Sequence, residues 1–176
     1  MSLKGNVLIG QSGGPTSVIN SSLHSIITEA KKYGFISDIY GASHGIEGVL
    51  NKQLIDLRLE TDETIEGLTR TPGAALGGCR HKVQESDLET IFKVFDSLNI
   101  KYFFYIGGND SMDTADRLNK AAGELGYDMR VIGVPKTIDN DLPETHHCPG
   151  FGSCAKYVAA SVREAGIHNA SMYTSE

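Results

Sequence analysis

The chain has 176 residues, 40% hydrophobic and 22% charged, which suits a globular unit with its own core. A formal net charge of −6 argues against nucleic acid or an acidic membrane as partner, and no apolar run approaches the roughly 20 residues of a membrane span. Three cysteines (Cys79, Cys148, Cys154) without a CxxC pair, and a start lacking a long apolar leader, imply reduced thiols and a cytoplasmic location.

Residues 6–9 form a short apolar strand that ends in Gly10-Gln11-Ser12-Gly13-Gly14-Pro15. Residues 16–32 read as a helix, because Val18, Ile19, Leu23, Ile26, Ile27 and Ala30 recur at helical spacing. Short strands are predicted at 37–40 and 53–59, and an amphipathic helix at 86–98 through Leu88, Ile91, Phe92, Val94 and Phe95. The aromatic, β-rich run 101–106 stops at Gly107-Gly108, and a helix follows over 111–125. A strand at 130–134 stops at Pro135, a polar loop spans 136–150, and a last helix covers 151–167. Strands alternating with helices predict a three-layer α/β/α arrangement around a mostly parallel sheet. Ligands of such sheets sit beyond the carboxyl ends of the strands. The loops after Ile9, Ile106 and Val134 fall at that edge.

These loops carry chemistry rather than filler. Gly10–Pro15 sits between a strand and a helix, where backbone N–H groups can meet an anion, although no GK[ST] makes it a Walker loop. Gly73, Gly77 and Gly78 precede Arg80, whose guanidinium suits bidentate phosphate contact. Asn109 and Asp110, after two glycines, offer oxygens to a hard cation such as Mg²⁺; they equally suit helix capping. Lys136-Thr137-Ile138-Asp139-Asn140-Asp141 packs a lysine, a hydroxyl and two carboxylates at a strand end, enough to divide base and orienting roles. A zinc site at His146, His147 and Cys148 is set aside, because adjacent ligands rarely close a tetrahedron. Gly150-Phe151-Gly152-Ser153-Cys154-Ala155 fits a loose dinucleotide pattern, but it follows a loop and reads as helix–loop packing.

In this order the pieces resemble the phosphofructokinase family over essentially the whole chain. The SGG loop resembles Ser12–Gly14, LGxxR resembles Leu76–Arg80, IGGDGS resembles Ile106–Ser111, and PGTIDND resembles Pro135–Asp141. The resemblance implies that Gly13 gives a backbone N–H to the donor phosphates and that Arg80 contacts the transferred group. It implies that Asp139 is the base for the sugar 1-hydroxyl and that Asp141 orients that base or assists the cation. Thr137, with the backbone at Ile138 and Asp139, would hold the reacting end of fructose 6-phosphate. The family's Mg²⁺-binding aspartate is Asn109 here, whose amide oxygen binds the cation without charge, so the resemblance leaves the Mg²⁺ ligand open between Asn109 and Asp110.

Two departures bear on the donor. ATP-users of the family have glycine where this chain has Asp110, a carboxylate that would repel a nucleotide α-phosphate. They also have glycine where this chain has Lys136, which supplies positive charge to a shorter donor. Both changes are features of the pyrophosphate-dependent branch. The expected reaction is Mg²⁺-dependent, reversible transfer from pyrophosphate to fructose 6-phosphate in glycolysis, by a homo-oligomer (dimer or tetramer). The alternatives are an ATP-dependent enzyme and a non-catalytic regulatory subunit. Residues 1–176 would be the amino-terminal donor domain, with the sugar-phosphate half outside the chain and little activity expected without it.

Overall fold

The computed structural model describes residues 2–172. Its five-stranded sheet has the order β3-β2-β1-β4-β5, with β1 Gly5–Gln11 at the centre. Strand β1 is buried along its whole length, as expected of a strand covered on both faces. It pairs in parallel with β2 (Ile36–Ala42) on one side and β4 (Ile100–Gly107) on the other, and β4 pairs in parallel with β5 (Arg130–Pro135). The predicted 53–59 strand is reduced to β3 (Leu54–Asp56), an antiparallel edge against β2.

Side-chain alternation along β1 divides the core. Val7 and Ile9 face a layer built by α1 (Ile19–Ala30) and α3 (Asp62–Gly67), where Ile19, Leu23, Ile27 and Ile65 are buried. Leu8 faces the opposite layer of α2 (Ile46–Leu50), α4 (Glu85–Ser97) and α5 (Asn109–Glu124). Ile46, Ile91, Phe95 and Leu118 pack there with Phe103 and Tyr105. The three-layer α/β/α prediction holds. The short helices α2 and α3 and the 3-10 turn Leu68–Arg70 were not anticipated, since segments of five, six and three residues are too brief to display a periodic stripe.

Helix ends follow local chemistry. Gln84 and Asp87 form a capping box at the start of α4. After α5, the Gly126 N–H donates to the Gly123 carbonyl and the Tyr127 N–H to the Ala122 carbonyl, a Schellman ending. Helix α6 (Phe151–Ser171) differs from the rest: no residue of it is buried, and Tyr157, Val158, Val162 and Ile167 are all exposed.

From β1 the chain steps to β2 on one side and later returns to β4 on the other. The strand order therefore reverses between β1 and β4, and a crevice opens there beyond their carboxyl ends.

Candidate active site

The strand ladders continue into the loops and hold them side by side. The Ser12 N–H donates to the Ile106 carbonyl at 2.8 Å, and the Lys136 N–H to the Gly107 carbonyl at 2.9 Å. A cleft of about 760 Å³ results, lined by Ser12–Thr16, Cys79–Lys82, Gly108–Ser111, Thr114 and Lys136–Asp139. All the sequence-predicted site residues line it except Asp141, which touches its edge through Asn109.

Lys136 is almost wholly buried, at 3% exposure, and its Nζ donates to the Gly14 carbonyl across the crevice. Burial pushes its pKa down, and the charge of Asp139 opposes that shift. Thr137 is also buried, and its hydroxyl accepts the Asp139 N–H at 3.1 Å, which turns the chain so that Ile138 and Asp139 face outward. Asn140 adopts the left-handed region at φ +55°. Its side chain braces the loop, accepting from the Cys148 N–H and donating to the His146 carbonyl.

Gly150 closes this loop. The Thr137 N–H donates to the Pro149 carbonyl, and Gly150 itself sits at φ +108°. A Cβ there would come within 3.1 Å of both the Thr137 carbonyl and the Thr16 side chain. The loose dinucleotide pattern at 150–155 is thus helix–loop packing, as the sequence indicated.

The structure revises three expectations. The helix predicted from residue 16 begins at Ile19, so Thr16–Val18 extend the glycine loop. The Gly13 N–H is not free for an anion, because it donates to the Cys79 carbonyl at 3.1 Å. Asn109 and Asp110 do not cap α5: Gly108 occupies the cap position, and both side chains project from the first turn. Asn109 Nδ2 donates to Asp141 Oδ2 at 2.8 Å, while the exposed Asp110 carboxylate lies 3.6 Å from Lys82 Nζ. Arg80 lines the cleft and is exposed.

Sequence reasoning overlooked the residues that fix the Arg80 segment. Gln11 Nε2 donates to Asn20 Oδ1, and Gln11 Oε1 accepts the Leu76 N–H. Asn20 in turn accepts the Ala75 N–H and donates to the carbonyls of Thr71 and Gly73. Both side chains are buried. The only signal in the sequence is a pair of amides at otherwise apolar positions, since apart from Ile19 and each other every partner lies more than 50 residues away.

Among the described residues, no three His, Cys, Asp or Glu side chains form a preformed metal cage. Mg²⁺ does not require one, since it is commonly held by one or two protein oxygens together with substrate phosphates. Asn109, whose Oδ1 remains when Nδ2 is engaged by Asp141, and Asp110 beside it suit that mode.

Comparison with known proteins agrees with this geometry. The family model described as Phosphofructokinase matches residues 6–175. A pyrophosphate–fructose 6-phosphate 1-phosphotransferase of Xanthomonas campestris is 46% identical over 173 residues, covering 96% of this chain and 41% of that protein. A sulfofructose kinase of Alkalicoccus urumqiensis is 41% identical over 157 residues, covering 89% of this chain and 40% of the relative. The crystal structure of a pyrophosphate-dependent phosphofructokinase from Nitrosospira multiformis superposes with a TM-score of 0.92 at 47% identity, over 98% of this chain and 44% of that one. The chain thus spans well under half the length of the relatives it matches. With the motifs, the sheet topology and this similarity in agreement, the chain belongs to the phosphofructokinase family.

Proposed function

We propose that this chain is the amino-terminal, phosphoryl-donor domain of a pyrophosphate-dependent phosphofructokinase. The reaction is Mg²⁺-dependent and reversible transfer to the 1-hydroxyl of fructose 6-phosphate, a glycolytic step carried out in the cytoplasm by a homo-oligomer. The observation that carries the reading is the buried Lys136 ammonium, which reaches the Gly14 carbonyl inside the cleft that Arg80, Asp110 and Asp139 also line. A buried lysine is costly unless its charge is used.

In this reading Asp139 accepts the proton of the sugar 1-hydroxyl as that oxygen bonds to a phosphorus of pyrophosphate. The bridging P–O bond breaks and inorganic phosphate leaves with its electron pair. Asp141, hydrogen-bonded to Asn109, orients the loop that carries the base. Thr137, Ile138 and the backbone at Asp139 hold the reacting end of the sugar. Lys136 and Arg80 stabilise charge on the phosphoryl group in flight. Mg²⁺, held by Asn109 and Asp110, would neutralise donor phosphate oxygens. The SGG loop contributes mainly through its carbonyl to Lys136, since the Gly13 N–H is already committed. Asp110, exposed at the cleft, would set its carboxylate charge against the α-phosphate of a nucleotide donor.

The double variant Asp110→Gly with Lys136→Gly tests the donor assignment in the polypeptide that carries this segment at the full length of its relatives. Pyrophosphate use should fall by at least about a hundredfold, the scale of losing a charge-stabilising group. Unchanged pyrophosphate turnover would refute the assignment. Because one relative is named for sulfofructose, that sugar belongs in the assay beside fructose 6-phosphate.

A further inference from the structure

The strap Cys79–Lys82 forms one wall of the cleft, and Gly108–Ser111, at the start of α5, forms another. The strap is fixed at its first residue, where the Cys79 carbonyl accepts the Gly13 N–H at 3.1 Å and the Ser12 hydroxyl at 3.3 Å. Just past the strap Val83 is buried, and its carbonyl accepts Arg117 Nη1 at 2.6 Å. Nη2 of the same guanidinium lies 3.7 Å from Glu85 Oε1 at the start of α4. Asp110, Thr114 and Arg117 recur at i, i+4 and i+7 along α5, so they share one face of that helix. The face meets the strap region at both ends. Asp110 Oδ1 is 3.6 Å from Lys82 Nζ, and Arg117 takes the carbonyl of the next residue.

We infer that Arg117 is a positioning residue for the donor: it ties the strap that carries Arg80 to helix α5 and so sets the spacing of the two cleft walls. The inference rests on the pyrophosphate reading given above. The Lys82–Asp110 pair also spans the walls, but both side chains are exposed, and such pairs contribute little. The Arg117 bond differs in kind. Its acceptor is the backbone carbonyl of a buried residue, its donor is charged, and the bond is short. The fork geometry of the guanidinium lets it face Glu85 at the same time. Arg80 is exposed, so the placement of its guanidinium depends on the strap backbone beneath it. The first turn of α5 carries Asn109 and Asp110, the residues given to Mg²⁺. Arg117 thus holds Arg80 and the cation-binding turn in one frame, and without it a donor bound between them loses the match of the two walls. A purely structural role, fastening α4 to α5, would support the fold and leave donor affinity untouched.

The experiment compares wild type, Arg117→Met, Arg117→Lys and Glu85→Gln at the full length of the relatives, assayed with Mg²⁺, pyrophosphate and fructose 6-phosphate. Methionine keeps an apolar stem without a donor, and lysine keeps a charged donor. The KM for pyrophosphate should rise about tenfold in Arg117→Met, within the range that misplacing a binding group from afar costs, and lysine should restore most of the loss. The KM for fructose 6-phosphate should stay within about twofold. Glu85→Gln should leave both constants within about twofold, because its carboxylate is exposed. If Arg117→Met fails to fold, Arg117→Gln must raise the same constant. A melting point that drops while the KM for pyrophosphate stays unchanged would overturn the inference: buried Val83 and the His81–Asp87 contact would then hold the strap without Arg117. An equal rise in both KM values would also overturn it, as a general loosening of the cleft. A wild type that does not use pyrophosphate would refute the donor reading before any variant is assayed, and the inference would fall with it.

Discussion

Lys136 is costly to the fold, and the proposed reaction is what would make use of its charge. Its folded pKa lies below the ordinary lysine value because burial disfavours the charge. The unfolded chain therefore holds this proton more tightly. The resulting destabilisation is fully present below the folded pKa and fades as pH rises from there to the ordinary lysine value. Lys136→Met should then lower pyrophosphate turnover by at least about a hundredfold without lowering the melting point at neutral pH. A clear drop in the neutral-pH melting point would mean that the Gly14 contact outweighs the desolvation. Asn109 makes a second residue-scale case. Its amide donates to Asp141 where an aspartate would repel it. Asn109→Asp should lower the melting point by a few degrees without Mg²⁺ and recover it when Mg²⁺ is added; melting curves identical to wild type in both conditions would contradict that account.

At the scale of elements, the long pieces were legible and the short ones were not. Helix α4, predicted over 86–98 and found at Glu85–Ser97, announces itself by an apolar stripe of Ile91, Phe92, Val94 and Phe95. Strand β4 does so by its aromatic run. Helix α1 starts later than its pattern suggests, because Val18 is apolar yet belongs to the loop that Gly13 opens at φ +72°. The cleft residues were legible by type, since lysine, hydroxyl and carboxylates crowd the end of β5. Their bonding was not legible, because it depends on distant partners. The Gly13 N–H meets Cys79, Asn109 meets Asp141, and Asp110 meets Lys82. The Gln11–Asn20 network is the same kind of feature, joining β1 and α1 to the segment ahead of Arg80. Asn20→Ala would strand several buried polar groups together. It should cost about 2–4 kcal/mol in denaturant unfolding and raise the KM for the donor as the Arg80 strap loosens. A loss well below 1 kcal/mol would show that the strap is held by other contacts.

Across the whole molecule, the reversal of strand order between β1 and β4 accounts for the cleft's position. Three parallel strands deliver their loops to one edge, and the ladder hydrogen bonds at Ser12 and Lys136 keep those loops adjacent. The chain spans 41% of its Xanthomonas relative, and α6 leaves Tyr157, Val158, Val162 and Ile167 exposed. The most direct test of the central claim is phosphorylation of fructose 6-phosphate by the family-length polypeptide with Mg²⁺, with pyrophosphate and ATP supplied in parallel reactions. Turnover with pyrophosphate and not with ATP is the predicted result; turnover with ATP alone would contradict the roles given to Asp110 and Lys136.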